Sequence, residues 1–137
     1  MKVLIDTNVI LDILLQRQPW YTNAALIFSL TKNKIIQSFV SATSVTDIYY
    51  LSQKDLGKRS AKESIKKLFQ VFCPAAVTDK DIYKALDLDW EDFEDSVQFI
   101  VGESISVDYI VSRNIRDFSS GTIPAVTPEQ FMKIITE

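Results

Sequence analysis

The chain has 137 residues, of which 47% are hydrophobic and 24% charged, with a formal net charge of −3. This is the balance of an ordinary globular protein and lacks the strongly basic footprint of a duplex-binding domain. The absence of histidine excludes a Ser/His/Asp triad and imidazole metal ligands, so any chemistry must come from carboxylates, hydroxyls, lysine or a metal held by oxygen.

In chain order, residues 2–6 read as a buried strand, apolar and β-branched, that stops at Asp6. The apolar start Met1–Ile5 is interrupted by Asp6 and Asp12, which argues against a signal peptide. Residues 9–17 read as a helix with Val9, Ile10, Ile13 and Leu14 on one face, and Pro19 opens a second helix running to about Thr31. Ile35–Ser41 reads as the second strand, followed by a helix from Thr43 to Gln53 that Gly57 closes, and then by a basic helix, Lys58–Leu68. A solvated face is the ordinary reading of those lysines, with an RNA-backbone track as the rival.

Phe69–Val77 holds the third strand, where Pro74 points to an irregular end or a sheet edge. Cys73, the sole cysteine, can form neither an internal disulfide nor a thiolate zinc cluster and reads as a small buried hydrophobe, in keeping with a reducing cytoplasm. Thr78 or Asp79 caps a helix through Leu88, and a further helix starts near 90–92 and carries Phe93, Val97, Phe99, Ile100 and Val101. Tyr109–Val111 is the fourth strand, Ala125–Val126 a short fifth, and Thr127-Pro128-Glu129 opens the last helix. No apolar stretch approaches the ~18 residues of a membrane span. The alternation predicts one α/β domain over residues 1–137: three α/β/α layers around a mainly parallel five-stranded sheet.

In such sheets, functional groups gather past the carboxyl ends of the strands. Asp6 ends the first strand. Asp47 lies one turn into the helix after the second. Asp95 begins the helix that returns to the fourth, and Ser112 to Phe118, with Asn114 and Asp117, follows the fourth directly. Four segments thus return carboxylates to one edge. Crowded carboxylates repel one another unless a cation joins them, and oxygen-only ligands select Mg²⁺ or Mn²⁺. Such ions, completed by substrate phosphates, fit metal-assisted phosphodiester hydrolysis.

Each residue also has a plainer reading. Asp6, Thr7 and Asn8 suit a helix cap, Asp47 and Asp95 suit solvated helix positions, and Asn114 and Asp117 suit a turn. Arg113 suits either a phosphate clamp or a surface ion pair. Trp20, Tyr21 and Trp90 suit base stacking, packing or a dimer surface.

With those pieces assembled, the sequence resembles the PIN domain family, the fold of many prokaryotic toxin ribonucleases. The resemblance is carried by Leu4-Ile5-Asp6-Thr7-Asn8, Ser41-Ala42-Thr43-Ser44-Val45-Thr46-Asp47, Asp92-Phe93-Glu94-Asp95-Ser96-Val97-Gln98, and Val111-Ser112-Arg113-Asn114-Ile115-Arg116-Asp117-Phe118. It implies an Mg²⁺- or Mn²⁺-dependent endoribonuclease acting on single-stranded RNA, with Asp6, Asp47, Asp95 and Asp117 as catalytic metal ligands and Arg113 and Asn114 toward substrate. Products would carry 5′-phosphate and 3′-hydroxyl ends.

The resemblance also implies a homodimer, for which the region Trp20–Leu30 is a candidate surface, and an antitoxin partner of a cytoplasmic toxin. Two positions depart from the family pattern. Asp47 stands where glutamate is usual, and neutral Asn114 stands where many members have aspartate. They keep a second reading open, a non-catalytic RNA- or protein-binding relative. An aspartate-nucleophile phosphatase is a third, weakened because Asn8 stands where a second acid is wanted.

Overall fold

A computed structural model describes residues 1–137. Its elements are β1 (Lys2–Ile5), α1 (Thr7–Leu14), α2 (Tyr21–Lys32), β2 (Gln37–Ser41), α3 (Ala42–Leu56), α4 (Lys58–Leu68), β3 (Cys73–Ala75), α5 (Asp79–Asp87), α6 (Phe93–Ser104), β4 (Tyr109–Val111), a 3₁₀ turn (Ile115–Phe118), β5 (Ala125–Val126) and α7 (Pro128–Thr136). The strands form one sheet in the order β3-β2-β1-β4-β5, and every neighbouring pair is parallel. The expected three-layer α/β architecture is therefore the observed one.

β1 is central because its side chains are apolar on both faces, as a strand covered by helices on both sides requires. Val3 and Ile5 join one core with Val9, Ile10, Ala24, Ile27, Ile48, Leu68 and Phe131, residues of α1, α2, α3, α4 and α7. Leu4, pointing the other way, joins Ala85, Val97, Phe99, Ile100 and Ile110, on the α5/α6 side. Each fully buried aliphatic side chain stabilises the fold by about 1.5–3 kcal/mol relative to exposure.

Three local expectations are corrected. The first helix spans Thr7–Leu14, not 9–17. Gln16 takes a left-handed conformation, φ 51°, which stops the helix and turns Arg17 back toward it. The second helix starts at Tyr21, two residues past Pro19. Ala24 and Ile27 face the core, leaving Trp20 and Leu26 as the exposed apolar residues of the Trp20–Leu30 region.

Cys73 is exposed, not buried. β3 is a three-residue edge strand paired only to β2, so only Ala75 of its three residues is covered. The same edge position accommodates Pro74. Trp90 packs on Phe99 and Phe118, with ring centroids 4.9 and 6.3 Å away.

Candidate active site

The β1–β4 pairing continues one step past Ile5↔Val111, where Asp6 N–H donates to Val111 O at 2.9 Å. This sets Asp6 opposite Ser112 at the carboxyl edge of the sheet. Asp6 does cap α1, since Thr7 N–H donates to its Oδ1 at 2.7 Å. It does more than cap. Gln98 Nε2 donates to the same oxygen at 2.9 Å, and Ser112 Oγ donates to Oδ2 at 2.6 Å. Ser112 is held in turn, its Oγ accepting from Asn114 N–H at 2.9 Å. The carboxylate is only 6% exposed, and three donors from three segments fix its orientation.

Asp95 sits in the first turn of α6, whose N-cap Asp92 accepts from Asp95 N–H at 3.1 Å. Its carboxyl is pushed up to about 7, first by burial and then by the charges of Asp6, Asp92, Asp117 and Glu94. Glu94 is also raised, by burial opposed by the Thr7 hydroxyl that donates to it at 3.2 Å, and further by the charges of Asp47, Asp6 and Asp92. These mutual repulsions place Asp47 beside Glu94, and Asp117 beside Asp95.

Asp6, Asp47, Asp92, Glu94, Asp95, Asn114 and Asp117 line one open cleft of about 600 Å³, together with Asn8, Arg17, Tyr50 and Arg113. All six residues singled out from sequence reach it. They differ in how firmly they are held. Asp6 and Asp95 are buried, whereas Asp47 on α3 and Asp117 on the 3₁₀ turn are exposed. The Asn114 side chain does not cap that turn.

The cleft offers oxygen donors only, the ligand chemistry of a hard divalent cation. The donors fit such an ion in kind. As they stand, no three of the carboxylates converge closely enough to grip one, so the cage is open. Donor type and the crowding of carboxylates, which adds to burial in lifting Asp95, both favour a cation.

Five residues escape a sequence reading: Gln98, Ser112, Glu94 and the pair Asp12–Arg17. Ser112 had a signal, because a residue directly after β4 in register with Asp6 must face it. Gln98 had a weaker one, lying three residues after Asp95 and so on the same face of α6. Nothing local points to Asp12.

A family model described as "PIN domain" matches residues 2–116, most of the chain. The chain belongs to the PIN domain family. Among PIN relatives, it is 25% identical over 135 residues to "Ribonuclease VapC1" of Aquifex aeolicus, covering 95% of this chain and 92% of that protein. VapBC2 from Rickettsia felis, solved bound to a DNA fragment from its promoter, superposes with a TM-score of 0.70 at 13% identity, over 93% of this chain and 98% of that one. VapC20 of Mycobacterium tuberculosis, described as a Sarcin-Ricin loop cleaving toxin, gives a TM-score of 0.63 at 16% identity, over 79% and 86%. FitAB bound to an IR36 DNA fragment gives 0.66 at 21%, over 92% and 94%. At these identities, the solved structures speak for the PIN fold alone.

Proposed function

We propose that this protein is a metal-dependent endoribonuclease that hydrolyses phosphodiester bonds of single-stranded RNA. The carrying observation is the convergence of Asp6, Asp47, Asp95 and Asp117, from four chain segments, on one cleft where burial and then neighbouring carboxylates push Asp95 up to about 7. The name of the VapC1 relative supports the same chemistry. Asp6, Asp47, Asp95 and Asp117 would hold Mg²⁺ or Mn²⁺, which when bound polarises the phosphate and acidifies water.

The chain's own residues supply the rest. Ser112, Gln98 and Thr7 keep Asp6 aimed into the cleft. Arg113 and Asn114, on the loop after β4, lie toward the substrate's phosphodiester backbone. Arg113 is positioned from its backbone as well, where its N–H donates to Asn8 Oδ1 at 3.3 Å. A toxin role with a neutralising partner protein is part of this reading, supported by the VapC1 relative, and a homodimer is the expected state.

A second reading, an RNA- or protein-binding relative without catalysis, is favoured by one observation: the open cage, with Asp47 a methylene short and Asn114 neutral. The test compares wild type with Asp6→Asn on an RNA pool, with Mn²⁺ and with chelator. Cleavage only by wild type and only with Mn²⁺ is expected. Equal cleavage in every condition overturns the metal mechanism, and RNA binding without cleavage selects the second reading.

A further inference from the structure

At one end of the acidic cleft lies a charge cluster that the carboxylates do not explain. Asp12, on the inner side of α1, is 0% exposed. An unpaired carboxylate there would be strongly destabilising, and one arginine is enough to neutralise it. Two are present. Arg17 Nε donates to Asp12 Oδ1 at 2.8 Å, and its Nη2 donates to Asn8 O at 3.2 Å. Arg113 Nε lies 2.8 Å from Asp12 Oδ2, off the line of a good hydrogen bond, and its Nη2 donates to Oδ1 at 3.4 Å. The Arg113 guanidinium also lies 3.9 Å from the Trp20 ring centroid, an arrangement that fixes its plane.

These contacts use Nε and Nη2 of Arg17 and Nη2 of Arg113, set Arg113 Nε in an ion pair without a hydrogen bond, and leave Nη1 of each without a protein acceptor. Two guanidiniums on one carboxylate leave a positive charge to spare. Arg17 and Arg113 are also the only basic residues lining the cleft. Arg113 lines a second groove as well, with Pro19, Trp20, Asn23, Thr127 and Glu129, so its side chain borders both cavities.

We propose that Arg17 and Arg113, clamped as a unit by buried Asp12, form a phosphate subsite for the RNA backbone linkage next to the one being cleaved. The subsite rests on the ribonuclease reading and deepens it. A polyanionic strand entering a cleft lined by Asp6, Asp47, Glu94 and Asp95 meets repulsion everywhere except at this end. Each arginine keeps an Nη1 without a protein acceptor while lining the cleft, and a guanidinium donor of that kind is suited to a phosphate oxygen. Asp12 never meets the substrate. It is a positioning residue that holds both side chains short of the nearby acids. The left-handed turn at Gln16 brings Arg17 within its reach.

The test uses the full chain, a short single-stranded RNA of mixed sequence, and Arg17→Gln, Arg17→Lys and Arg113→Gln variants. Binding is followed by anisotropy in Ca²⁺ over a range of KCl concentrations, and cleavage in Mn²⁺. Each Gln variant is expected to raise KM roughly tenfold with kcat little changed, the loss of one charge-assisted contact. Each should also flatten the plot of log affinity against log salt by about 0.7. Arg17→Lys, which keeps the charge, should recover the slope.

A scan placing one neutral methylphosphonate at each linkage in turn reads the subsite in the wild type alone. One position beside the cleaved bond should raise KM, and its effect should shrink in Arg17→Gln and in Arg113→Gln. Lower melting temperatures with unchanged KM and salt slope, or no sensitive linkage, would overturn the subsite while leaving the ribonuclease reading intact. A wild type that neither binds nor cleaves RNA overturns both.

Discussion

Asp6 is held more firmly than any other acid of the cleft, and the groups holding it make separable predictions. Ser112→Ala removes the donor to Oδ2 and Gln98→Leu the side-chain donor to Oδ1, and neither touches the cleft's charge. Each should lower activity by roughly 10–100-fold with cation affinity reduced in step, as losses of supporting partners at metal sites do. Metal titration alongside kinetics checks this, and unchanged cation affinity in both would mean Asp6 does not depend on them. Asp47 makes the opposite kind of prediction. It is exposed and its side chain makes no hydrogen bond within the protein, so lengthening it costs nothing in the fold. Asp47→Glu should retain or raise Mn²⁺-dependent activity, and Asp47→Ala should lower it. If both behave as wild type, Asp47 stands outside the chemistry.

Elements explain which parts of this could be read before the fold was known. β1 was legible because Val3-Leu4-Ile5 is apolar at every position, and the last helix because Thr127-Pro128-Glu129 supplies a cap, a proline at the first helical position and an acid in the first turn. Asp6, Asp47, Asp95 and Asp117 were legible because each sits a fixed distance past or before a strand end, and parallel topology sends all such positions to one edge. What was hidden depended on contacts between distant segments. Gln98 meets Asp6 across 92 residues and Arg113 meets Asp12 across 101, and no local pattern carries either. Cys73 misled because a strand residue's burial depends on whether its strand lies at the edge. The loop between the 3₁₀ turn and β5 is likewise set by a distant neighbour. A Cβ on Gly121 would lie 2.6 Å from the Phe99 ring. Phe99 is hemmed in by Trp90, so Gly121→Ala should destabilise the protein by about 1–3 kcal/mol through overpacking, readable as a lower urea midpoint. Since Asp117 belongs to that turn, activity should fall with it.

At the scale of the whole molecule, the acidic cleft is a standing cost that a cation relieves, and the sign of its pH dependence follows from Asp95. Its folded value of about 7 lies above the ordinary 3.8. Between those values, the folded protein holds a proton that the unfolded chain has released. Stability therefore falls as pH rises through this window and levels off above it. Without divalent cation, stability should thus rise on going from about pH 8 to about pH 6 by on the order of 1 kcal/mol once solvent screening in the open cleft is allowed for, and the melting temperature should rise with it. Glu94, also raised, acts in the same direction. Asp81 opposes at lower pH. Its carboxylate, lowered chiefly by the Thr78 backbone hydrogen bond, contributes stability that is lost as pH falls through its folded value. Added Mn²⁺ or Mg²⁺ competes with the proton on Asp95, so it should stabilise the protein more at about pH 8 than at about pH 6 and release protons on binding. Asp95→Asn removes the titrating group and should flatten the pH dependence while weakening the cation's effect. Thermal melts of both proteins across that range, with and without cation, decide the matter. A wild type whose melting is indifferent to pH and to cation would mean that the carboxylates of the cleft do not share an ion.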